Sequence, residues 1–210
     1  MSECSKEKDA GMRQAAFAQV KALMSMQGYL SKEDIHGGFE FENKRIRLVD
    51  IRKGIWKPKE MRYVLSIRTS LARSGKESQY GDQEVSLERL EQFLKGEESI
   101  EYSFQGKDPM AYTNQWLRFA YEEGVPLIYF LGLAPNRTFA AFPIFIENWD
   151  AKRCMCILRC DVGNEFISSE EEQREETLRM TRVRLYQDRF REILLCAYDR
   201  KCAFSGFPEP

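Results

Sequence analysis

The sequence predicts an α+β domain built on a curved or barrel-like mixed β-sheet, with flanking helices and a long C-terminal helix. Three observations lead there. Short alternating segments separated by turn residues recur through most of the chain, and two or three helical patterns interrupt them. Val125–Gly132 is a near-continuous apolar run, the pattern of a strand buried on both faces. The 210 residues, 43% hydrophobic and 31% charged, suffice for one core of about 150 residues plus an appendage. The expected organisation is an N-terminal helical segment over 1–40, a main domain over 41–165, and a helix leaving it over 168–210.

Taken in order, 6–29 carries Phe17, Val20, Leu23, Met24 and Leu30 at helical spacing, so an N-terminal helix is expected. Gly37-Gly38 ends the short segment that follows, and His36 before it reads as a helix C-terminal residue. Residues 45–51 alternate Ile46 and Leu48 with Arg45 and Arg47, a strand with a charged outer face. Gly54-Ile-Trp-Lys-Pro-Lys59 reads as a turn, and Tyr63, Leu65 and Ile67 as one face of a second strand. A loop rich in Ser, Gly and Lys leads to a short helix over 86–94 capped by Ser86. Ile100, Tyr102 and Phe104 share a face of a strand ending at Gly106. Asp108-Pro109 turns into a helix over 112–122, and further strands are expected over 139–146 and 154–160. Ser168 followed by acids reads as a helix N-terminus, and the helix runs to about Tyr198.

Composition excludes several classes. No apolar run approaches the roughly 20 residues that span a bilayer, and the N-terminus lacks a signal-peptide core, so a cytoplasmic protein is expected. Cys154, Cys156 and Cys160 fall on one face of an expected strand, which suits buried thiols better than disulfides. A single histidine leaves no complete Cys/His zinc site, and phosphate-loop, G-x-S-x-G and H-E-x-x-H signatures are missing, so no metal ligands or catalytic residues are assigned.

The net charge of −1 hides a segregation: 44–76 holds eleven Lys or Arg and two acids, whereas 77–101 holds eight acids and two bases. A basic face with Trp56 and Tyr63 interleaved suits a nucleic-acid backbone; the same charges also read as solvated strand and loop faces. Arg45, Arg47, Lys53, Lys57, Lys59, Arg68 and Arg73 are the candidate phosphate contacts.

Near its end the chain reads Gln187-Asp-Arg-Phe-Arg-Glu-Ile-Leu-Leu-Cys-Ala-Tyr-Asp-Arg-Lys-Cys-Ala-Phe-Ser-Gly206. This resembles the opening of an HNH endonuclease domain, a helix followed by C-A-x-[ST]-G. The resemblance implies that the catalytic histidines and a divalent metal ion belong to a nuclease core downstream of Pro210, leaving this chain as the targeting half. Phe190, Ile193, Leu194 and Ala197 form a helical stripe that needs a partner: that core, this chain's own barrel, or a second copy in a homodimer.

A second resemblance covers about 54–161. Its features are Gly54-Ile-Trp-Lys-Pro, Leu65-Ser-Ile-Arg-Thr-Ser, Tyr80-Gly-Asp-Gln, Tyr102-Ser-Phe-Gln-Gly106, Asn114-Gln-Trp-Leu and Gly124-Val-Pro-Leu-Ile-Tyr-Phe-Leu-Gly. They look like the N-terminal region of bacterial HNH restriction endonucleases and, more distantly, are similar to SRA (SET- and RING-associated) modules of the PUA-like barrel group. That resemblance implies recognition of a modified cytosine in double-stranded DNA by base flipping, with aromatic walls and an acceptor for the cytosine amino group. Tyr80 and Phe104 are then the walls, with Tyr102 an alternative to Phe104. Asp82 would be the acceptor, Gln83 a polar contact, and Gly106 the point of close backbone approach. The strand aromatics also read as ordinary core and Asp82 as a turn residue. Other readings of the whole are a PUA-like ligand- or protein-binding module and a DNA-binding domain that reads unmodified sequence.

Overall fold

Capping residues set the first elements of the computed structural model, which describes residues 4–50, 52–69, 87–134 and 136–161. Helix α1 (Lys6–Gln27) starts where Ser5 Oγ accepts the Lys8 N–H and stops at Gly28, whose left-handed backbone (φ 71°) lets its N–H donate to Met24 O. Met12, Ala16, Val20 and Met24 recur every fourth residue and are buried in the same hydrophobic core as the sheet. Helix α2 (Lys32–Gly37) opens with a reciprocal capping box between Ser31 and Asp34, and His36 lies in its last turn.

Strands β1 (Phe39–Phe41) and β2 (Lys44–Ile46) form a separate antiparallel ribbon. Its two-residue turn, Glu42-Asn43, has positive φ at both positions, which matches the twist of the flanking strands. The expected single strand over 45–51 is thus shorter and has an extra partner. A turn without glycine carries a weak sequence signal, and Phe39 to Phe41 was too short to read as a strand.

The main sheet holds β3 (Ile55–Trp56), β4 (Ser66–Thr69), β5 (Ile100–Ser103), β6 (Leu127–Ala134), β7 (Arg137–Asp150) and β8 (Met155–Cys160) in the order β3-β4-β6-β7-β8-β5. Every neighbouring pair is antiparallel except β4 with β6. Strand β3 forms where the sequence suggested only a turn. Helices α3 (Leu87–Leu94) and α4 (Tyr112–Glu123) lie in the connection from β4 to β6. β7, 14 residues long, pairs with β6 along its first part and with β8 along its second. Register shifts on both ladders bend it. The result is the expected α+β architecture, a strongly curled mixed half-barrel with flanking helices.

The two edges of this half-barrel approach one another at Gly54, the residue before β3. Its carbonyl oxygen accepts the Arg68 N–H from β4 at 2.7 Å and the Tyr102 hydroxyl from β5 at 3.1 Å. Tyr102 also meets Tyr129 of β6 edge to face at 6.0 Å, and Tyr129 meets Phe93 of α3 the same way at 6.4 Å. The Tyr129 hydroxyl hydrogen-bonds Thr69 Oγ1 at 2.8 Å, so the largest polar side chain of the interior has a partner.

α1 is held to the sheet by a buried ion pair that sequence patterning does not reveal. Arg13 donates to Asp9 Oδ1 at 2.8 Å and to the carbonyls of Val64 and Pro126 at 3.0 and 2.7 Å. Asp9 Oδ2 in turn accepts the backbone N–H groups of Arg62 and Tyr63. Burial pulls the Arg13 guanidinium below its ordinary pKa, and the attraction of Asp9 opposes that pull.

The expected C-terminal helix, the HNH-like segment over 187–206 and the loop that carries Arg73, Tyr80, Asp82 and Gln83 lie outside the described residues. Among the described residues no helix is long and apolar enough to cross a membrane.

Candidate nucleic-acid interface

The basic residues of 44–68 divide into two groups. Arg45 sits on the β1–β2 ribbon, where its Nε donates to the Gly37 carbonyl at the end of α2. Lys44 shares that ribbon, whereas Arg47, Lys53, Lys57, Lys59 and Arg68 lie near β3, one edge strand of the main sheet. Arg47 is exposed, and its carbonyl accepts the Trp56 indole N–H at 2.9 Å, which ties the segment after β2 to that edge. Lys53 and Lys57 flank β3, exposed Lys59 follows it with its ammonium 3.9 Å from Glu60, and Arg68 leaves the adjacent β4 half-buried. A charge cluster read linearly thus falls along one edge of the sheet.

Helix α4 packs beside this edge and supplies the aromatic component. Tyr112 and Trp116, four residues apart, share a helix face and meet edge to face at 5.1 Å. Lys53 Nζ donates to the Tyr112 hydroxyl at 2.8 Å and lies 5.1 Å from the ring centroid, while Lys57 Nζ lies 5.9 Å from the Trp116 ring and donates to Met61 O. The hydrogen bond to Tyr112 raises the Lys53 pKa above its ordinary value. The aromatics beside these lysines are therefore Tyr112 and Trp116, whereas Trp56 is half-buried with its indole N–H on Arg47 O, and Tyr63 is buried. The spacing of 112 and 116 was visible in the sequence; their placement against Lys53 and Lys57 depends on how α4 docks on β3.

Of the expected base-pocket residues, the structure describes Tyr102, Phe104 and Gly106. Tyr102 is 4% exposed and Phe104 is 1% exposed, and Phe104 packs against Trp149 at 5.2 Å between ring centroids. Both rings are covered by protein on their faces in this conformation. Gly106 has φ +76°, and a Cβ there would meet open space, so its backbone is approachable from that side.

Asn114 carries the local architecture between Gly106 and α4. Fully buried, it accepts the Gln105 N–H at 3.0 Å and donates to the carbonyls of Gln105 and Asp108 at 3.2 and 2.7 Å. Its side chain thus fixes the turn that launches α4, while its own carbonyl accepts the Trp149 indole at 3.3 Å. Replacing it by Ala leaves three backbone groups without that partner, and a loss of about 1–3 kcal/mol is expected, measured as a fall in the urea midpoint.

Cys156 and Cys160 are buried on β8, whereas Cys154 lies in the β7–β8 turn with φ 52° and donates weakly to Lys107 O. Among the described residues no three His, Cys, Asp or Glu side chains converge as a metal site. Comparison of the chain with family models, with curated proteins and with solved structures gives no match.

Proposed function

We propose that this chain is a duplex-DNA-binding domain of SRA/PUA-like shape, the targeting part of a modification-dependent HNH restriction endonuclease that reads a modified cytosine. The observation that carries DNA binding is the assembly of Arg47, Lys53, Lys57, Lys59 and Arg68 about one sheet edge, beside the aromatic face of α4. Each lysine or arginine placed against a phosphate releases counterions, and a sheet edge bordered by a helix offers a ridge along which a backbone can lie. Preference for a modified base rests on the sequence resemblance, with Tyr80, Asp82 and Gln83 as pocket residues.

A competition mobility-shift assay on matched duplexes carrying cytosine, 5-methylcytosine or 5-hydroxymethylcytosine tests both parts. Nanomolar to micromolar binding that weakens steeply with salt is expected, along with preference for a modified duplex that Asp82→Ala removes. Joint neutralisation by Arg47→Gln, Lys53→Gln and Lys59→Gln should reduce the salt slope by about 3. Equal binding to all three duplexes would remove the modified-base reading. Absence of binding at low salt would leave a ligand-binding module instead.

A further inference from the structure

The exposed side of α4 holds more aromatic surface than core packing requires. Tyr112 is 58% exposed and Phe119, one helical step beyond Trp116 on the same face, is 48% exposed. Large rings left in water beside cations are a feature of surfaces that stack planar groups. Among the described residues the Lys53 ammonium uses one of its three N–H bonds, on Tyr112. Nearby carboxylates are committed locally. Asp50 accepts the Arg52 and Lys53 N–H groups, Asp108 accepts the Met110 N–H, and Glu122 pairs with Arg118 at 2.7 Å. Hydrogen bonding to backbone N–H groups leaves Asp50 and Asp108 charged, so the ledge offers two ammonium groups, Lys53 and Lys57, beside exposed rings rather than a uniformly positive field, and suits a partner with an anionic group next to a planar one.

We infer that the exposed ring of Tyr112, braced by the near-perpendicular Trp116, is a stacking platform for an unpaired nucleobase, with Lys53 and Lys57 holding the phosphates beside it. The inference rests on the DNA-binding reading and deepens it. The chain would prefer duplexes in which a base has left the helix, because a base within a paired stack offers only its edge to a ring lying along the groove. The platform stands on the rigid Asn114 clamp, so its geometry exists before the ligand arrives.

Fluorescence anisotropy with two labelled probes, a fully paired duplex and the same duplex with a central two-nucleotide bulge, tests this in the intact chain. The bulged duplex is expected to bind about tenfold more tightly, the smaller end of what one stacked base contributes. Tyr112→Ala should abolish that preference, so that the bulged and paired duplexes bind alike. Tyr112→Phe, which keeps the ring and loses the hydroxyl, should retain it. Because Tyr112 is mostly exposed, truncation leaves the core intact, and an unchanged circular dichroism melt verifies that. Binding of the paired duplex without preference for the bulge overturns the platform and spares the DNA-binding reading. A preference that survives Tyr112→Ala likewise overturns the platform. Absence of binding to both probes overturns both readings. Polyglutamate competing as effectively as unlabelled bulged duplex would show that charge alone is read, and would also overturn stacking.

Discussion

Asp9→Ala is expected to destabilise the fold by about 3–5 kcal/mol, the cost of leaving a buried charge without its counterion. Asp9 and Arg13 are 3% and 4% exposed, and their contacts reach two other parts of the chain, 62–64 and Pro126. Removing the carboxylate strips Arg13 of its charge partner and leaves the Arg62 and Tyr63 N–H groups without their acceptor. Such a loss is a large share of the roughly 5–15 kcal/mol that stabilises a domain. Adding Arg13→Met to Asp9→Ala should cost less than the sum of the two single changes, since no uncompensated charge then remains buried. Urea denaturation of the four proteins in that cycle measures the coupling; additive losses would show that the pair does not act as a unit.

Gly38→Ala is expected to be nearly as damaging, for a backbone reason. Gly38 has φ 70° and ψ −160°, a region essentially restricted to glycine, and a Cβ there would fall inside van der Waals contact with the Ile46 carbonyl oxygen and 3.0 Å from its carbon. The obstacle is backbone of β2, which cannot rotate away as a side chain would. Strain and overlap together should cost about 2–5 kcal/mol. Gly106→Ala is the internal control, because its φ is also positive (+76°) but a Cβ there meets nothing within 4 Å, so only about 1 kcal/mol should be lost. Thermal melts of the two variants separate the conformational cost from the steric one.

The contrast between what could and could not be read in advance follows from the range of each interaction. α4 and β6 were legible because a Pro-initiated turn, a C-terminal glycine and a dense apolar run are local signals. β1 and β3 were not, since strands of three and two residues owe their existence to partners elsewhere in the chain. The Asp9–Arg13 pair looks like any exposed i,i+4 pair until Val64 and Pro126 are brought over it. Ile100 and Tyr102 were rightly placed on one side of β5, which ends at Ser103 just before the equally buried Phe104 and short of the expected Gly106, but spacing alone cannot tell a ring that lines a pocket from one that fills a core. The basic cluster was visible as composition; its assembly with Tyr112 and Trp116 required the docking of a helix from beyond β5.

The parallel pairing of β4 with β6 sets the order in which this molecule can come into being. Ser66 lies opposite Ile128, so the partners are separated by α3, β5 and α4, and the closure entropy of that whole crossover is lost before the pairing returns any hydrogen bonds. The antiparallel ladder of β6, β7 and β8 has no such delay, because its strands follow one another directly. The ladder of β6, β7 and β8 is therefore the part that can form from neighbours alone, whereas the edge bearing Lys53 and Lys57 joins it only through a long-range pairing. The lysine-bearing edge is, in kinetic terms, a late arrival to the ladder of β6, β7 and β8 and no part of what starts it.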